Sequence, residues 1–370
     1  MSLSRRQMLE IAAASAAIAA IPTPLTALAA PAKGRVFAVA RTDRATAVTA
    51  CLDALDFKAC AGRDVVVKAN FNSDDAFPAS TRPATLAALL GALKSRRATG
   101  LTLAERSGMG DTRRVLERTG AADVVKAASA RLVVLDEVDR DAWRPFRAPS
   151  WPSGFFAARL FTEAPCVVQT MCCKTHRFGG HVTLSLKNTV GLVAKQVPGE
   201  GHNYMRDLHR SDHQRAMIAE ANLAWQPAAN LMDCLESFID GGPEQGTRAS
   251  PGIFLASDDR CALDAAAIAL LRLHGMDGPA AQGPIGRTAQ LARALELGIG
   301  APPQAVEIVA VDPGAREQAV RCDRWAPALP ARASREAAAA RSRRRRGHSD
   351  RRSSGRPPAP PGSPAPDRRR

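Results

Sequence analysis

The chain has 370 residues, of which 45% are hydrophobic and 4% aromatic, and its formal net charge is +15. This length is sufficient for one large α/β domain or two smaller ones. Residues 331–370 contain thirteen Arg and three acidic residues, so the rest of the chain carries a net charge of only about +5. The excess charge is therefore confined to the C-terminal tail, and nucleic acid is not expected as a partner.

Residues 1–29 have the pattern of a twin-arginine secretory signal. Arg5-Arg6 precedes an Ala-rich apolar run, Ile11–Ile21, and Ala27-Leu28-Ala29 predicts cleavage before Ala30. An N-terminal membrane anchor is the alternative, but the run is far shorter than the roughly 20 residues that a spanning helix needs. We therefore expect a periplasmic or otherwise exported protein that uses the twin-arginine translocase. The mature chain should contain no transmembrane helix.

Taken in chain order, apolar segments of strand length alternate with helical segments. This alternation predicts one α/β domain over residues 30–320, with a mainly parallel, Rossmann-like sheet and helices on both faces. Thr81 is expected to cap the second helix. The predicted strand-like segments are Val36–Ala40, Asp64–Lys68, Leu101–Ala104, Arg131–Leu135, Cys166–Met171, Ala228–Asp233 and Gly252–Ala256. The predicted helices are Arg44–Leu55, Pro83–Arg96, Thr112–Thr119, Ser211–Asn222 and Ala262–Leu273.

Polar side chains cluster after the strand-like run Cys166–Met171. Lys174-Thr175-His176 follows it, and a Gly179-Gly180 turn leads to His181 and then to Lys187-Asn188. Ligands of open α/β sheets bind outside the carboxyl ends of the strands. Because Lys68 and Asn70 also follow a strand, we expect one pocket to contain both groups. Two nearby Lys favour an anion between them, and the His residues add a possible metal ligand set.

The eight Cys give no sign of a metal cluster. None forms a Cys-x-x-Cys pair, which argues against an iron–sulfur cluster and against a zinc ribbon. Cys51 and Cys60 are close enough in sequence to form a disulfide, although buried free Cys is the usual state. The twin-arginine route often carries proteins that already hold a cofactor, but no cofactor is identified by these residues.

Residues 321–370 form an Arg-, Pro- and Ala-rich tail that is predicted to be disordered. It has almost no large apolar residues with which to bury a core. A basic arm that binds nucleic acid or anionic lipid is one interpretation. The chain has eight Lys and 43 Arg, which suggests a GC-rich genome, and out-of-frame translation of such DNA is the favoured interpretation.

Four ordered motifs resemble those of the domain-of-unknown-function family 362, and together they lie within residues 64–275. The family has Pro where this chain has Ala69 and Arg260, and tends to have Gly at Cys234. Its reaction is unknown. The motifs are Val65–Asn70 with Thr81–Pro83, Lys174–His176 with Leu184–Gly191, Asp233 with Gly242–Gly246, and Ala256–Asp264.

Each candidate residue has a functional and a structural interpretation. Lys68 and Asn70 bind an anion or cap a loop; Asp259 assists the chemistry or caps a helix. We predict ligand contacts for Lys68, Asn70, Lys174, Asn188 and Asp233 and catalytic roles for His176, Lys187, Asp259 and Asp264. The weaker candidates for metal ligands are His176, His181, His209 and His213.

Two classes of function fit this pattern. The first is an enzyme that holds a carboxylate or phosphate with its lysines and uses His176 as a general acid or base. The second is a non-catalytic periplasmic binding protein, or a redox-accessory protein without its own cluster, that uses the same pocket. The two classes differ in whether His176 affects turnover or only affinity.

Overall fold

A computed structural model describes residues 23–31, 33–178 and 181–323. The strands are β1 Thr23–Pro24, β2 Gly34–Val39, β3 Asp64–Lys68, β4 Gly100–Glu105, β5 Arg131–Val134, β6 Trp143–Arg147, β7 Phe155–Ala158, β8 Val167–His176, β9 His181–Thr183, β10 Ala229–Phe238, β11 Arg248–Ala249, β12 Ile253–Ser257 and β13 Val306–Ala310. The helices are α1 Arg44–Ala54, α2 Pro83–Ser95, α3 Thr112–Arg118, α4 Ala121–Ala127, α5 Arg159–Thr162, α6 Ser185–Asn188, α7 Tyr204–Arg210, α8 Gln214–Ala221, α9 Arg260–Leu273, α10 Ala289–Glu296 and α11 Arg316–Asp323.

One large sheet organises the domain. Its order is β13-β2-β12-β10-β8-β3-β4-β5, with β11 paired to β10 and β9 paired to β8. Every neighbouring pair from β10 to β5 is parallel, whereas β12 is antiparallel to both β10 and β2. The predicted α/β fold with a mainly parallel sheet is confirmed, and the reversed strand β12 is an addition to it. A small sheet, β1-β6-β7, stands apart.

Two layers cover the large sheet because successive strand residues point to opposite faces. In β3, Val65 and Val67 pack with the apolar faces of α1 to α4, whereas Val66 packs with the small sheet and with α7 and α8. Further along this second face, α9 and α10 cover β2 and β12. Helices thus lie on both faces, and β3 and β8 are buried on both sides, as continuous apolar runs predict.

The boundaries differ from the predicted ones where neighbouring elements decide them. Strand β8 continues to His176 because β9 pairs with its last three residues. Thr81 does not cap α2: the N-cap is Arg82, and the Thr81 hydroxyl accepts the Asn70 backbone N–H at 2.9 Å. Strands β6, β7 and β13 were not predicted, since Pro145 interrupts the first and β13 is only partly buried.

Several predictions concern residues outside the described part of the chain. These are the twin-arginine pair and apolar run, the Gly179-Gly180 turn and the tail from residue 324 onward. Within the described residues, no helix is long and apolar enough to cross a membrane. All eight Cys are described and buried, and Cys51 and Cys60 form no disulfide with each other.

Candidate functional site

A cavity of about 520 Å³ opens at the carboxyl ends of β3, β4 and β8. Parallel pairing of β3 with β8, with Lys68 in register with Gln169, brings these strand ends to one edge of the sheet. The short helix α6 then returns to the same edge. The cavity is lined by six residues that the sequence placed together, namely Lys68, Asn70, Lys174, His176, Lys187 and Asn188.

One side of the cavity, the Lys68 corner, consists of Lys68, Glu105, Asn70 and Asn188. The Lys68 Nζ donates to Glu105 Oε1 at 2.5 Å and to the Ala69 carbonyl at 2.6 Å. Both side chains of the ion pair are about 98% buried or more. Burial lowers the pKa of Lys68 and raises that of Glu105, and their pairing opposes both shifts.

Gly191 leaves the space that this ion pair occupies. A Cβ at this position would lie 2.6 Å from the Lys68 Nζ, so any larger residue would displace the ammonium group. The glycine of the Asn188–Gly191 segment therefore has a packing role at the Lys68 corner. Sequence reasoning found Lys68 but missed Glu105. The only signal for Glu105 was that it is the first polar residue after the predicted strand Leu101–Ala104.

A chain of buried amides fixes the orientation of Asn188. Its Oδ1 accepts from Asn70 Nδ2 at 3.3 Å and from Lys68 Nζ at 3.5 Å. Its Nδ2 donates to Gln169 Oε1 at 3.0 Å, and Gln169 Nε2 donates to Asn230 Oδ1 at 2.6 Å. Gln169 and Asn230 were missed as framework residues; the signal was an amide side chain inside each of two apolar strand-length runs.

A second group of residues, the Lys187 wall, consists of Lys174, His176, Thr183 and Lys187, which line the cavity, and of Arg215, which lowers the pKa of Lys187 but does not line the cavity. Lys174 Nζ donates to the backbone carbonyls of Ala79 and, at 3.2 Å, of Pro243. Lys187 Nζ contacts only the Thr183 hydroxyl, at 3.5 Å. Among the described residues, no carboxylate forms an ion pair with either ammonium group within 4.0 Å.

Electrostatic repulsion is concentrated at the Lys187 wall. Burial, Arg215 and Lys174 together hold the pKa of Lys187 well below its ordinary value. Burial and the same cationic neighbours lower the pKa of His176, whose ring is therefore neutral at pH 7. Burial also lowers the pKa of Arg215 to about 10. Three basic side chains thus lie near a neutral imidazole, and within the described part of the chain no acid forms an ion pair with them.

Buried polar atoms without hydrogen-bond partners also gather here. At the Lys187 wall these atoms are the His176 Nδ1 and both terminal nitrogens of Arg215. The Asn70 Oδ1, Arg106 Nε and Gln214 Oε1, which belong to other residues lining the cavity, have no partner either among the described residues. Buried polar groups are normally satisfied, and such a concentration indicates that a ligand or bound water completes the site.

The turn predicted at Gly242–Gly246 closes the Lys174 side of the cavity. Gly242 has φ +68°, and a Cβ there would collide with the Thr175 carbonyl oxygen. This close approach places the Pro243 carbonyl on Lys174. Arg260 stands where the family has Pro, and it has a structural role here: the buried Arg260 guanidinium donates to Asn222 Oδ1 at 2.7 Å.

Asp264 does not line the cavity, but it positions the helix that does. Its Oδ1 accepts from the Ser185 N–H at 2.8 Å and its Oδ2 from the Leu186 N–H at 3.2 Å, which satisfies the first turn of α6. Burial raises the pKa of Asp264 to about 7. The predicted catalytic role for Asp264 is therefore replaced by a positioning role for Lys187 and Asn188.

The other two predicted carboxylates also lie outside the cavity. Asp259 caps α9 by accepting from the Ala262 N–H at 2.9 Å, and its second oxygen accepts from the Ala301 N–H at 2.6 Å. Asp233 accepts from Thr85 Oγ1 at 2.6 Å and pairs with Arg44 at 3.0 Å. These bonds occupy the carboxylates, so we assign both residues to the framework and not to ligand contact or catalysis.

The candidate metal ligands do not converge on one point. His176 and His209 line the main cavity, and the His209 Nδ1 is bonded to the Met205 carbonyl at 2.6 Å. His181 lies with His176 at a second cavity, and His213 is exposed at the start of α8. Among the described residues, no group of three or more His, Cys, Asp or Glu side chains is arranged to hold a metal ion.

The profile of the family described as Domain of unknown function (DUF362) matches residues 65–269. The chain belongs to the DUF362 family. The matched range begins in β3 and ends in α9, and it includes every residue of the Lys68 corner and of the Lys187 wall. The resemblance drawn from the four sequence motifs is confirmed.

Other comparisons add little to this assignment. No curated protein sequence matches the chain. Among solved structures, the lactate racemase apoprotein from Thermoanaerobacterium thermosaccharolyticum is similar, with 16% sequence identity and a TM-score of 0.40. The similar region covers 60% of this chain and 54% of that one, so the chain spans about half the length of that protein. No functional argument is based on a likeness at this level.

Proposed function

We propose that this DUF362 protein binds a small anionic ligand, a carboxylate or a phosphate, in the cavity at the carboxyl edge of its sheet. The observation that supports the proposal most strongly is the Lys187 wall. There, Lys174, Lys187 and Arg215 are brought together with no carboxylate in ion-pair contact among the described residues. A bound anion would supply the missing negative charge.

The energetic reasoning compares the wall with and without a ligand. Like charges in a low-dielectric site repel one another, and each cation also loses hydration. An anion that contacts Lys174 and Lys187 reverses both costs, because hydrogen bonds between ionised groups are stronger than neutral ones. The bound ligand should therefore stabilise the folded protein, by about 2.7 kcal/mol at a ligand concentration of 100 times Kd.

The unpartnered atoms indicate what else the ligand carries. Arg106 Nε and the Arg215 nitrogens are donors and suit anionic oxygens, whereas Asn70 Oδ1 and Gln214 Oε1 are acceptors. A ligand that is satisfied by both sets has at least one O–H or N–H group besides its anionic group. An anion without such a group would satisfy only the donors, so we propose an organic acid or an organic phosphate that carries one.

His176 favours an enzyme over a carrier. Its ring is neutral, its Nδ1 has no described partner, and it lines the cavity beside the lysines. A neutral imidazole next to a bound anion can accept a proton from the ligand. A non-catalytic binding or redox-accessory protein would not need this group.

The proposal is tested by thermal unfolding of the full chain in oxalate, phosphate and chloride at matched ionic strength. We expect oxalate and phosphate to raise Tm with a saturating dependence, and chloride to have no such effect. Lys58→Met is the matched control, because this lysine is 80% exposed and far from the cavity lining. Equal Tm values in all three salts would contradict anion binding at the cavity.

We also propose that the protein works outside the cytoplasm, on the support of Arg5-Arg6 and the short apolar run that follows. Replacing both arginines by lysine should then retain the precursor in the cytoplasm. Normal delivery in a strain without the twin-arginine translocase would contradict export by this route.

A further inference from the structure

The four lysines that line the cavity differ in how their ammonium groups are held. Lys68 is paired with Glu105, and Lys195 Nζ lies 3.1 Å from an Asp136 carboxylate oxygen. Lys174 donates to two backbone carbonyls. Lys187 has only the Thr183 hydroxyl, at the 3.5 Å limit of hydrogen bonding. Of the four, Lys187 is therefore the lysine whose ammonium form is least stabilised by hydrogen bonds and ion pairs with the described residues.

The hairpin of β8 and β9 explains why other groups surround this amine. Lys174 is in register with Thr183, and residues directly opposite in an antiparallel pair share one face of the sheet. His176, two residues beyond Lys174, lies on the same face. Because Lys187 contacts Thr183, its Nζ lies beside the Lys174 and His176 positions. The adjoining cations, together with burial, favour the neutral amine.

A neutral lysine amine in a closed, cationic site is a nucleophile for carbonyl compounds. Lys174 is directly opposite Thr183 in the strand pair, and Thr183 contacts the Lys187 amine. Lys174 and Lys187 are therefore neighbours, so the anionic group and the carbonyl group must be adjacent in the ligand. We propose that Lys187 forms an imine with a 2-oxo acid whose carboxylate is held by Lys174. The proposal rests on the proposed function, since this carboxylate is the bound anion.

The chemical step is balanced without an oxidant or reductant. The lone pair of Lys187 Nζ forms a bond to the carbonyl carbon, and the carbonyl π electrons move to oxygen, which takes up one of the two Nζ protons. The resulting carbinolamine loses its hydroxyl group as water while nitrogen loses a proton, and a C=N bond forms. His176 is placed to accept the proton that nitrogen releases and to return it to the departing hydroxyl.

The test is reductive trapping on the intact wild-type chain at pH 7. Pyruvate is added, then sodium borohydride, which delivers hydride to an imine carbon and leaves a stable secondary amine. Proteolysis and mass spectrometry give the modified fraction at each lysine. We expect at least about tenfold more modification at Lys187 than at exposed Lys58, because a bound carboxylate holds the ketone beside Lys187 and raises its effective concentration there.

Oxalate, which has the anionic groups but no ketone, serves as a competitor and as a separate reporter of anion binding. Trapping at Lys187 that oxalate suppresses supports the proposal. If oxalate raises Tm but Lys187 is modified no more than Lys58, the imine is refuted and the anion site remains. If neither occurs, both proposals fail. Lys187→Arg, whose guanidinium group forms no imine under these conditions, should lose the label.

Discussion

The Lys68 corner and the Lys187 wall belong to one cavity and use the same residue type differently. Lys68 is almost completely buried and has a carboxylate, a backbone carbonyl and an amide oxygen within 3.5 Å. Lys187 is partly exposed to the cavity and has one long contact. A cavity position therefore does not make a lysine a ligand-binding residue; what matters is whether its charge is already neutralised.

The comparison separates framework from function. The corner is completed by groups of the protein itself, and the amide chain through Asn188 and Gln169 keeps it rigid. The wall is not completed by protein groups, because Arg215 and His176 have side-chain nitrogens without hydrogen-bond partners among the described residues. Ligand binding at the wall can therefore stabilise the folded protein by satisfying these groups. At the corner the polar groups already have partners within the protein, so a ligand there would add little stability.

The largest expected effect comes from breaking the corner. Lys68→Met leaves the Glu105 carboxylate buried without a cation, which should lower the free energy of unfolding by about 3–5 kcal/mol. Lys187→Met, the matched change at the wall, removes an amine whose charged form is disfavoured by its surroundings, and should alter the free energy of unfolding by less than about 1 kcal/mol. Urea unfolding of both variants without added ligand measures the difference.

A double variant checks the cause of the large effect. Lys68→Met combined with Glu105→Leu replaces the ion pair by apolar side chains, and should recover most of the lost stability because no buried charge remains. A double variant that is no more stable than Lys68→Met would show that the corner depends on shape and not on charge pairing.

A smaller effect concerns the residue that positions the wall. Burial raises the pKa of Asp264 to about 7, whereas the unfolded chain has an ordinary Asp pKa near ~3.9. Between those pH values the native state binds a proton that the unfolded state has released, so this group lowers stability as pH rises. The unfolding free energy of wild type minus that of Asp264→Asn should therefore decrease from about pH 4 to about pH 7.

Urea unfolding of the two proteins at several pH values gives this difference, and subtraction removes the other titrating groups. An increase in the difference over the same range would mean that the backbone N–H groups of Ser185 and Leu186 hold Asp264 ionised in the native state.

Much of the fold follows from the sequence because its signals are local. The run Val65-Val66-Val67 predicts a strand buried on both faces, and such strands with intervening helices predict a parallel sheet. That topology alone brings Lys68 and Lys174 to one edge, although about a hundred residues separate them. The reversal of β12 could not be predicted, since the direction of a strand depends on which neighbour it pairs with.

The carboxylates show a limit of sequence reasoning about the site. Asp259 and Asp264 were assigned to catalysis because they border a strand-to-helix turn, but each is bonded to backbone N–H groups. A capping carboxylate and a catalytic one occupy the same local pattern, and only long-range contacts distinguish them. The same limit concealed Glu105, whose importance arises from a partner 37 residues earlier in the chain.

The most direct test of the division between corner and wall is an oxalate titration of Lys187→Met, followed by thermal unfolding at constant ionic strength. Wild type and the exposed-site variant Lys58→Met should show the same rise in Tm, and Lys187→Met should show none while its Tm without oxalate stays close to that of wild type. An undiminished rise in Lys187→Met would contradict anion binding by the Lys187 wall.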